Sequence, residues 1–181
     1  MIKKILIAVV LILWVAVLFS VLWWYNNKYM RTEFFAGQEL QLPAGIAGPG
    51  PIRLVHFWEP GCPCNLGNQQ HLGELVSHYA DSIDFYHVQM PGSKGHLPKT
   101  LTDLQPIDIK LNTDILPASP AVAIWDEFGR LAYFGPYSEG AICNSSNSFV
   151  EPILDALNQG RSVLAGSNLA SGCFCNWQTA P

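Results

Sequence analysis

The sequence is short of charge. Only 13% of its 181 residues are Asp, Glu, Lys or Arg, and the basic ones are scarcest, 10 Lys and Arg against 14 Asp and Glu. The formal net charge is −4. Setting aside Lys3 and Lys4 leaves −6 on the rest, a balance that argues against nucleic acid or anionic lipid as a partner. No glycine-rich phosphate loop, no nucleophilic-serine motif and no H-E-x-x-H occurs, which removes the common signatures of nucleotide, acyl-transfer and zinc-protease chemistry. No C-x-x-C pair occurs either, so a zinc ribbon is excluded. There is no long internal repeat; the echo of CPCN (Cys62–Asn65) in CFCN (Cys173–Asn176) is too brief to be one.

What is abundant is apolar sequence. Hydrophobic residues make up 49% of the chain, and Ile5 to Tyr25 is an almost unbroken apolar run interrupted by Ser20. About 20 residues at helical rise span a bilayer core. Lys3 and Lys4 precede the run, and Trp23, Trp24 and Tyr25 end it at an interface-like position. A cleaved signal peptide is the competing reading, but the run is long and has no A-x-A-type cleavage site. Residues 1–25 are therefore expected to be a retained signal anchor. Lys28 and Arg31 beyond the span weaken the positive-inside bias. The very short leading segment favours N-in, C-out, with the chain from about Asn26 onward outside the cytoplasm.

Residues 26–50 read as a juxtamembrane linker. Asn26 to Phe35 is expected to lie along the membrane surface, Gln38 to Leu42 to add a short strand, and Ala44 to Pro51 to form a loop. Some 155 residues follow the span, enough for one domain with a sizeable core.

The run Leu54 to Asn65, LVHFWEPGCPCN, organises that domain. Ile52 to Trp58 is nearly continuous in apolar residues, as for a central strand buried on both faces. Glu59-Pro60-Gly61 is a turn, and a helix is expected from Cys62–Cys64 to about Ala80, with Leu72, Leu75, Val76 and Tyr79 on one stripe. A strand at Ile83 to Met90 completes a right-handed βαβ unit. Pro98 to Leu104 could form a short helix, and Pro106 to Leu116 has a brief apolar alternation. Ala121–Trp125, the turn Asp126-Glu127-Phe128-Gly129, and Arg130–Phe134 read as a β-hairpin. Ser148, with Glu151 three residues on, marks the start of a last helix that Gly160 stops. Residues 161–181 are a tail that is small and polar until Cys173-Phe174-Cys175.

The five cysteines, Cys62, Cys64, Cys143, Cys173 and Cys175, all follow the span, as suits an oxidising compartment. An odd number leaves at least one thiol free or paired with another molecule. Cys62 and Cys64 stand at a helix start, where unpaired backbone N–H groups and the helix dipole favour the thiolate, the form that attacks disulfides or binds soft metals. Residues two apart can approach within disulfide range, but the ring is tight and such a bond is easily reduced. The bland alternative is a structural role, each cysteine bonded elsewhere in the chain. Cys143, Cys173 and Cys175 form a possible second thiol centre. The tail pair could exchange disulfides with the first pair as a relay, or be stapled to Cys143.

The order β-α-β, connection, β-β-α resembles the thioredoxin-like superfamily over roughly Pro51 to Gly160. Val55–Trp58 looks like the strand before the thioredoxin active site, and Cys62 falls where the family places its attacking cysteine. Ser119-Pro120-Ala121-Val122 resembles the family's cis-proline loop. The departure is the spacing, C-x-C where the family usually has C-x-x-C. The resemblance implies an α/β fold, a central mixed sheet flanked by helices, for residues 51–160. It implies Cys62 as nucleophile, Cys64 as resolving cysteine and Pro120 as shaper of the docking surface, with Pro117 a competing candidate. It also places His56 where the family has a buried acid, so that His56 could relay a proton near neutral pH; the alternative is a packed core histidine. Anchor, CPCN and cysteine-bearing tail together also resemble small bacterial membrane proteins with a thioredoxin-like domain, a likeness that adds no function.

The expectation is thus a single-pass protein of the bacterial inner membrane with its domain in the periplasm. It would exchange disulfides with protein thiols, touch the membrane through its N-terminal helix, bind no nucleic acid and need no cofactor. Two rivals stand beside it: a Cu(I)-binding or copper-delivery module using the same thiols, and a redox-inert interaction domain on the same fold.

Overall fold

The computed structural model describes residues 2–37, 40–109, 115–140 and 143–177. The apolar run forms helix α1, Ile2–Tyr29, 28 residues with none buried against the rest of the protein. At helical rise it is about 42 Å long, more than the ~30 Å hydrocarbon core of a bilayer, so it is long and apolar enough to cross a membrane. It runs four residues past the expected end of the span.

The segment expected to lie on the membrane surface is instead a strand, β1 (Met30–Phe35). Its partner is in the tail: β8 (Asn168–Cys173) pairs with it antiparallel along all six residues, from Met30 opposite Cys173 to Phe35 opposite Asn168. In the Gln38–Leu42 stretch expected to form a strand, residues 38 and 39 lie outside the described residues and 40–42 are irregular.

The central sheet follows the apolar runs. Strand β2 (Ile52–Trp58) is buried at every position. It leads through helix α2 (Asn65–Tyr79) to β3 (Ile83–Gln89), which pairs with it in parallel. A single 3₁₀ turn at Lys99–Leu101 stands where a longer helix was expected, and β4 (Gln105–Pro106) edges the sheet. Part of the alternation expected over 106–116 lies outside the described residues. The two-residue β5 (Ala118–Ser119) precedes the hairpin of β6 (Ala121–Trp125) and β7 (Leu131–Gly135). Asp126 Oδ1 holds the hairpin turn by accepting from the backbone N–H of Phe128 and Arg130, at 3.0 and 2.8 Å. Helix α3 (Val150–Asn158) follows, capped by Ser148, whose Oγ accepts from the Val150 and Glu151 amides. The tail then forms β8 and a two-residue β9 (Cys175–Asn176), which pairs antiparallel with β5.

The strand order is β4-β3-β2-β6-β7, with β6 antiparallel to β2. A mixed sheet of this order, entered by a β-α-β unit and closed by a β-β-α unit, is the thioredoxin-like fold. Alternation along the strands sorts the core into two layers. Ile52, Leu54, Ile83, Phe85, Val122 and Ile124 meet Leu72 and Leu75 of α2 and Leu154 and Leu157 of α3. On the other face Val55, Phe57, Val88, Ala121 and Ala123 meet Phe35 of β1 together with Phe174 and Trp177 of the tail. The segments read as linker and tail are therefore the cover of one sheet face.

Candidate functional site

Strand β2 delivers the chain to the edge of the sheet, and the Glu59-Pro60-Gly61 turn reverses it. Gly61 takes φ +87°, a conformation glycine adopts without steric cost. The Cys62 N–H donates to the Glu59 carbonyl at 3.2 Å, and the Asn65 side chain reaches back to that same carbonyl at 2.7 Å. Asn65, the N of CPCN, thus ties the first residue of α2 to the turn. Cys64 is the residue that opens α2.

The cysteines pair across the molecule. Cys62 is bonded to Cys175 and Cys64 to Cys173, with Cα separations of 6.0 and 5.4 Å. This corrects the expectation of a Cys62–Cys64 couple: the first cysteine of the first C-x-C is bridged to the second of the tail C-x-C, and the second to the first. It also separates the second thiol centre. Cys173 and Cys175 join Cys62 and Cys64, whereas Cys143 is a free, buried thiol in the helix-side core. Burial pushes its pKa up to about 11, so it is neutral and unreactive at ordinary pH. Cys62, expected as an exposed nucleophile, is only 6% exposed beneath the tail.

The Ser119–Pro120 bond is cis, and Pro120 rather than Pro117 is the cis proline. The Ser119 carbonyl lies 3.9 Å from Cys62 Sγ. Bonded to Cys175, Cys62 has no proton to donate, so this proximity becomes a hydrogen bond only in a reduced thiol. Strand β9 lies along the same loop: Cys175 sits opposite Ser119, and the Trp177 N–H donates to the Pro117 carbonyl at 3.5 Å.

The end of α1 closes the other side. The Tyr25 hydroxyl donates to Cys173 Sγ at 3.4 Å, and the Tyr29 carbonyl accepts from the Phe174 N–H at 2.9 Å. Tyr25, Tyr29 and Met30 pack on the cysteine cluster, and Arg31 Nη1 donates to Asn176 Oδ1. Beside the cluster lies a cleft of about 330 Å³ lined by Lys28, Arg31, Glu59, Cys62, Pro63 and Cys175 among others. The Cys62–Cys175 bridge is reached from it; Cys64 and Cys173 are not among its lining residues. Partial burial raises the Glu59 carboxyl above the ordinary carboxylate range, beside this cleft.

His56 is fully buried, in register with His87 on β3 and Val122 on β6. Its Nδ1 is hydrogen-bonded to the Tyr137 hydroxyl at 2.9 Å. Burial, reinforced by the neighbouring His87 and opposed by the Ala121 backbone, pushes its pKa down to about 3. The expectation that it titrates near neutral pH is therefore corrected: a charged imidazole would have to enter a dry core, and the ring stays neutral.

The structure brings Cys62, Cys64 and the Ser119–Pro120 loop, all singled out in the sequence, to one end of the sheet. Sequence reasoning missed Tyr25, Tyr29, Glu59, Asn65 and Ser119. Of these, Asn65 carried a signal, the repeated C-x-C-N.

A family model described as "Domain of unknown function (DUF6436)" matches residues 31–177. No curated protein matches the chain. Among solved structures, an uncharacterized conserved protein from Geobacillus kaustophilus superposes with a TM-score of 0.57 at 16% identity, over 84% of this chain and 93% of that one. A hypothetical protein from Sinorhizobium meliloti 1021 gives 0.54 at 15% identity, over the same shares. A looser likeness, TM-score 0.47 at 17% identity over 75% and 98% of the two chains, is to a thioredoxin-like protein solved in solution in its oxidized form.

Proposed function

The chain belongs to the DUF6436 family, and we propose that it is a membrane-anchored thiol–disulfide oxidoreductase working outside the cytoplasm, in the bacterial periplasm. One observation carries this reading. The Cys62–Cys175 bridge lies in an open cleft at the end of β2, beside the cis Ser119–Pro120 bond. Two disulfides suit an oxidising compartment, and Lys3 and Lys4 in the first turn of α1 favour an inside N-terminus.

The chemistry follows from the connectivity. A client thiolate attacks Cys62 Sγ; the bond to Cys175 breaks, and Cys175 leaves as a thiolate that takes up a proton. The client's second thiolate then attacks its own sulfur in the mixed disulfide, leaving an oxidised client and Cys62 as a thiolate. Two electrons have entered the protein, as the Cys62 and Cys175 thiols. The Sγ atoms of Cys62, Cys64 and Cys175 all lie within 4.8 Å of one another. Cys62 can therefore attack Cys64 and displace Cys173, moving the remaining disulfide onto Cys62–Cys64 and leaving the tail as a dithiol. A disulfide-bearing partner restores the bridges by the reverse exchange. No catalytic role falls to His56, which stays a neutral core residue.

The same grouping of three sulfurs supports a second reading, a Cu(I) site. Both bridges must first be reduced, because a disulfide sulfur offers no thiolate. A third reading is a redox-inert domain in which both bridges are permanent.

The test uses the full chain in detergent micelles. The wild type is expected to accelerate oxidative refolding of a reduced client, and Cys62→Ser to fall to the uncatalysed background. Equal rates would reject the enzyme. Stoichiometric Cu(I) uptake by reduced protein, lost in Cys62→Ser, would establish the second reading in its place.

A further inference from the structure

The tail does more than cap the cysteines. β9 is a strand of only two residues, laid antiparallel on the two residues of β5 that lead into Pro120. Its attachment is slight: the short ladder, one bridge from Cys175, the Arg31–Asn176 contact and the Trp177 ring. β8, just before it, is held by a six-residue ladder with β1 and by the Cys64–Cys173 bridge. Breaking Cys62–Cys175 therefore loosens β9 alone and bares the backbone groups of Ala118 and Ser119, an unpaired edge to which an extended chain can add as a strand.

The tail also shows which side chains that edge accepts. Residues two apart in an extended chain point to the same side. Cys175 reaches Cys62, and two residues on Trp177, 2% exposed, fills a slot in the second core layer with its ring edge-on to Phe57 at 6.2 Å. We infer that residues 175–177 are a built-in stand-in for the client. The client is an extended polypeptide segment with a cysteine and, two residues after it, a large aromatic side chain, and it binds by displacing the tail from Ala118–Ser119. This rests on the disulfide-exchange reading and names its substrate class. In the displacement step the client's thiolate forms a bond to Cys62 Sγ as the Cys62–Cys175 bond breaks. The electron pair and then a proton go to Cys175, with no net oxidation.

The test again uses the full chain in micelles, oxidised. Three thiols are offered: a synthetic peptide of residues 171–177 with serine for Cys173, the same peptide with alanine for Trp177, and glutathione. Adducts at Cys62 are timed by mass spectrometry. The tryptophan peptide is expected to react about tenfold faster than the alanine one, the scale of one buried aromatic anchor. Trp177→Ala in the protein should speed its capture by a similar factor. In Cys175→Ser, hydrogen exchange should show lost protection at 118–119 and 175–177, with β1 and β8 still protected. Equal peptide rates alongside a glutathione adduct would overturn the docking inference and leave the redox reading standing. No adduct with any of the three would overturn the redox reading itself. Dimers joined between Cys62 of one copy and Cys175 of another, in place of peptide adducts, would assign the edge to self-association and overturn the inference.

Discussion

At the scale of single residues, burial decides what each ionisable group can do. His56 has a folded pKa of about 3 against an ordinary 6.5. Between those values the unfolded chain binds a proton that the folded one refuses. Its contribution to stability is thus complete above about pH 6.5 and is lost as pH falls toward 3, at up to about 1.4 kcal/mol per pH unit. Denaturant titrations of wild type against His56→Gln should show a shallower acid decline in the variant; identical slopes would mean that His56 is not the group responsible. The residues gathered around the bridges were unevenly legible. Cys62 and Pro120 stand in local patterns, a strand-turn-helix and an S-P-A-V before a hairpin. Tyr25 bears on the cysteines only because the remote tail is laid against it, and no local pattern records that.

At the scale of elements, the two bridges are a single staple. Either one alone closes a loop of more than 100 residues, Cys62 to Cys175 spanning 113 and Cys64 to Cys173 spanning 109. On the chain-entropy model such a closure is worth about 4.7 kcal/mol. Once one bridge exists, the other closes only the small ring of Cys62, Pro63, Cys64, Cys173, Phe174 and Cys175, worth about 2 kcal/mol on the same model. Cys62→Ser should therefore lower stability modestly, and Cys62→Ser with Cys64→Ser by roughly three times as much. Thermal or chemical unfolding of the three proteins would show it, and equal steps would contradict the shared-loop account. The helices, β2, β3 and the hairpin were readable because each carries its own apolar run or period. β1 and β8 were not. Asn-Leu-Ala-Ser-Gly-Cys has little strand propensity, and its partner lies more than 130 residues earlier in the chain.

At the scale of the whole molecule, sequence reasoning drew the domain as residues 51–160 with a linker before it and a tail after it. The family match runs from 31 to 177, and the segments outside 51–160 cover one face of the sheet with Phe35, Phe174 and Trp177. A face closed by non-local strands leaves no periodic mark in either of them. The paired bridges carry a further consequence. Everything between Cys64 and Cys173 is bracketed by bonds that do not run along the backbone. A protease that nicks the chain there, for instance at the turn where Phe128 is exposed, should yield no lighter species on a gel run without reductant and two fragments once reductant is added. A damaged copy would stay in one piece for as long as its surroundings remain oxidising, and shed its C-terminal half when they do not.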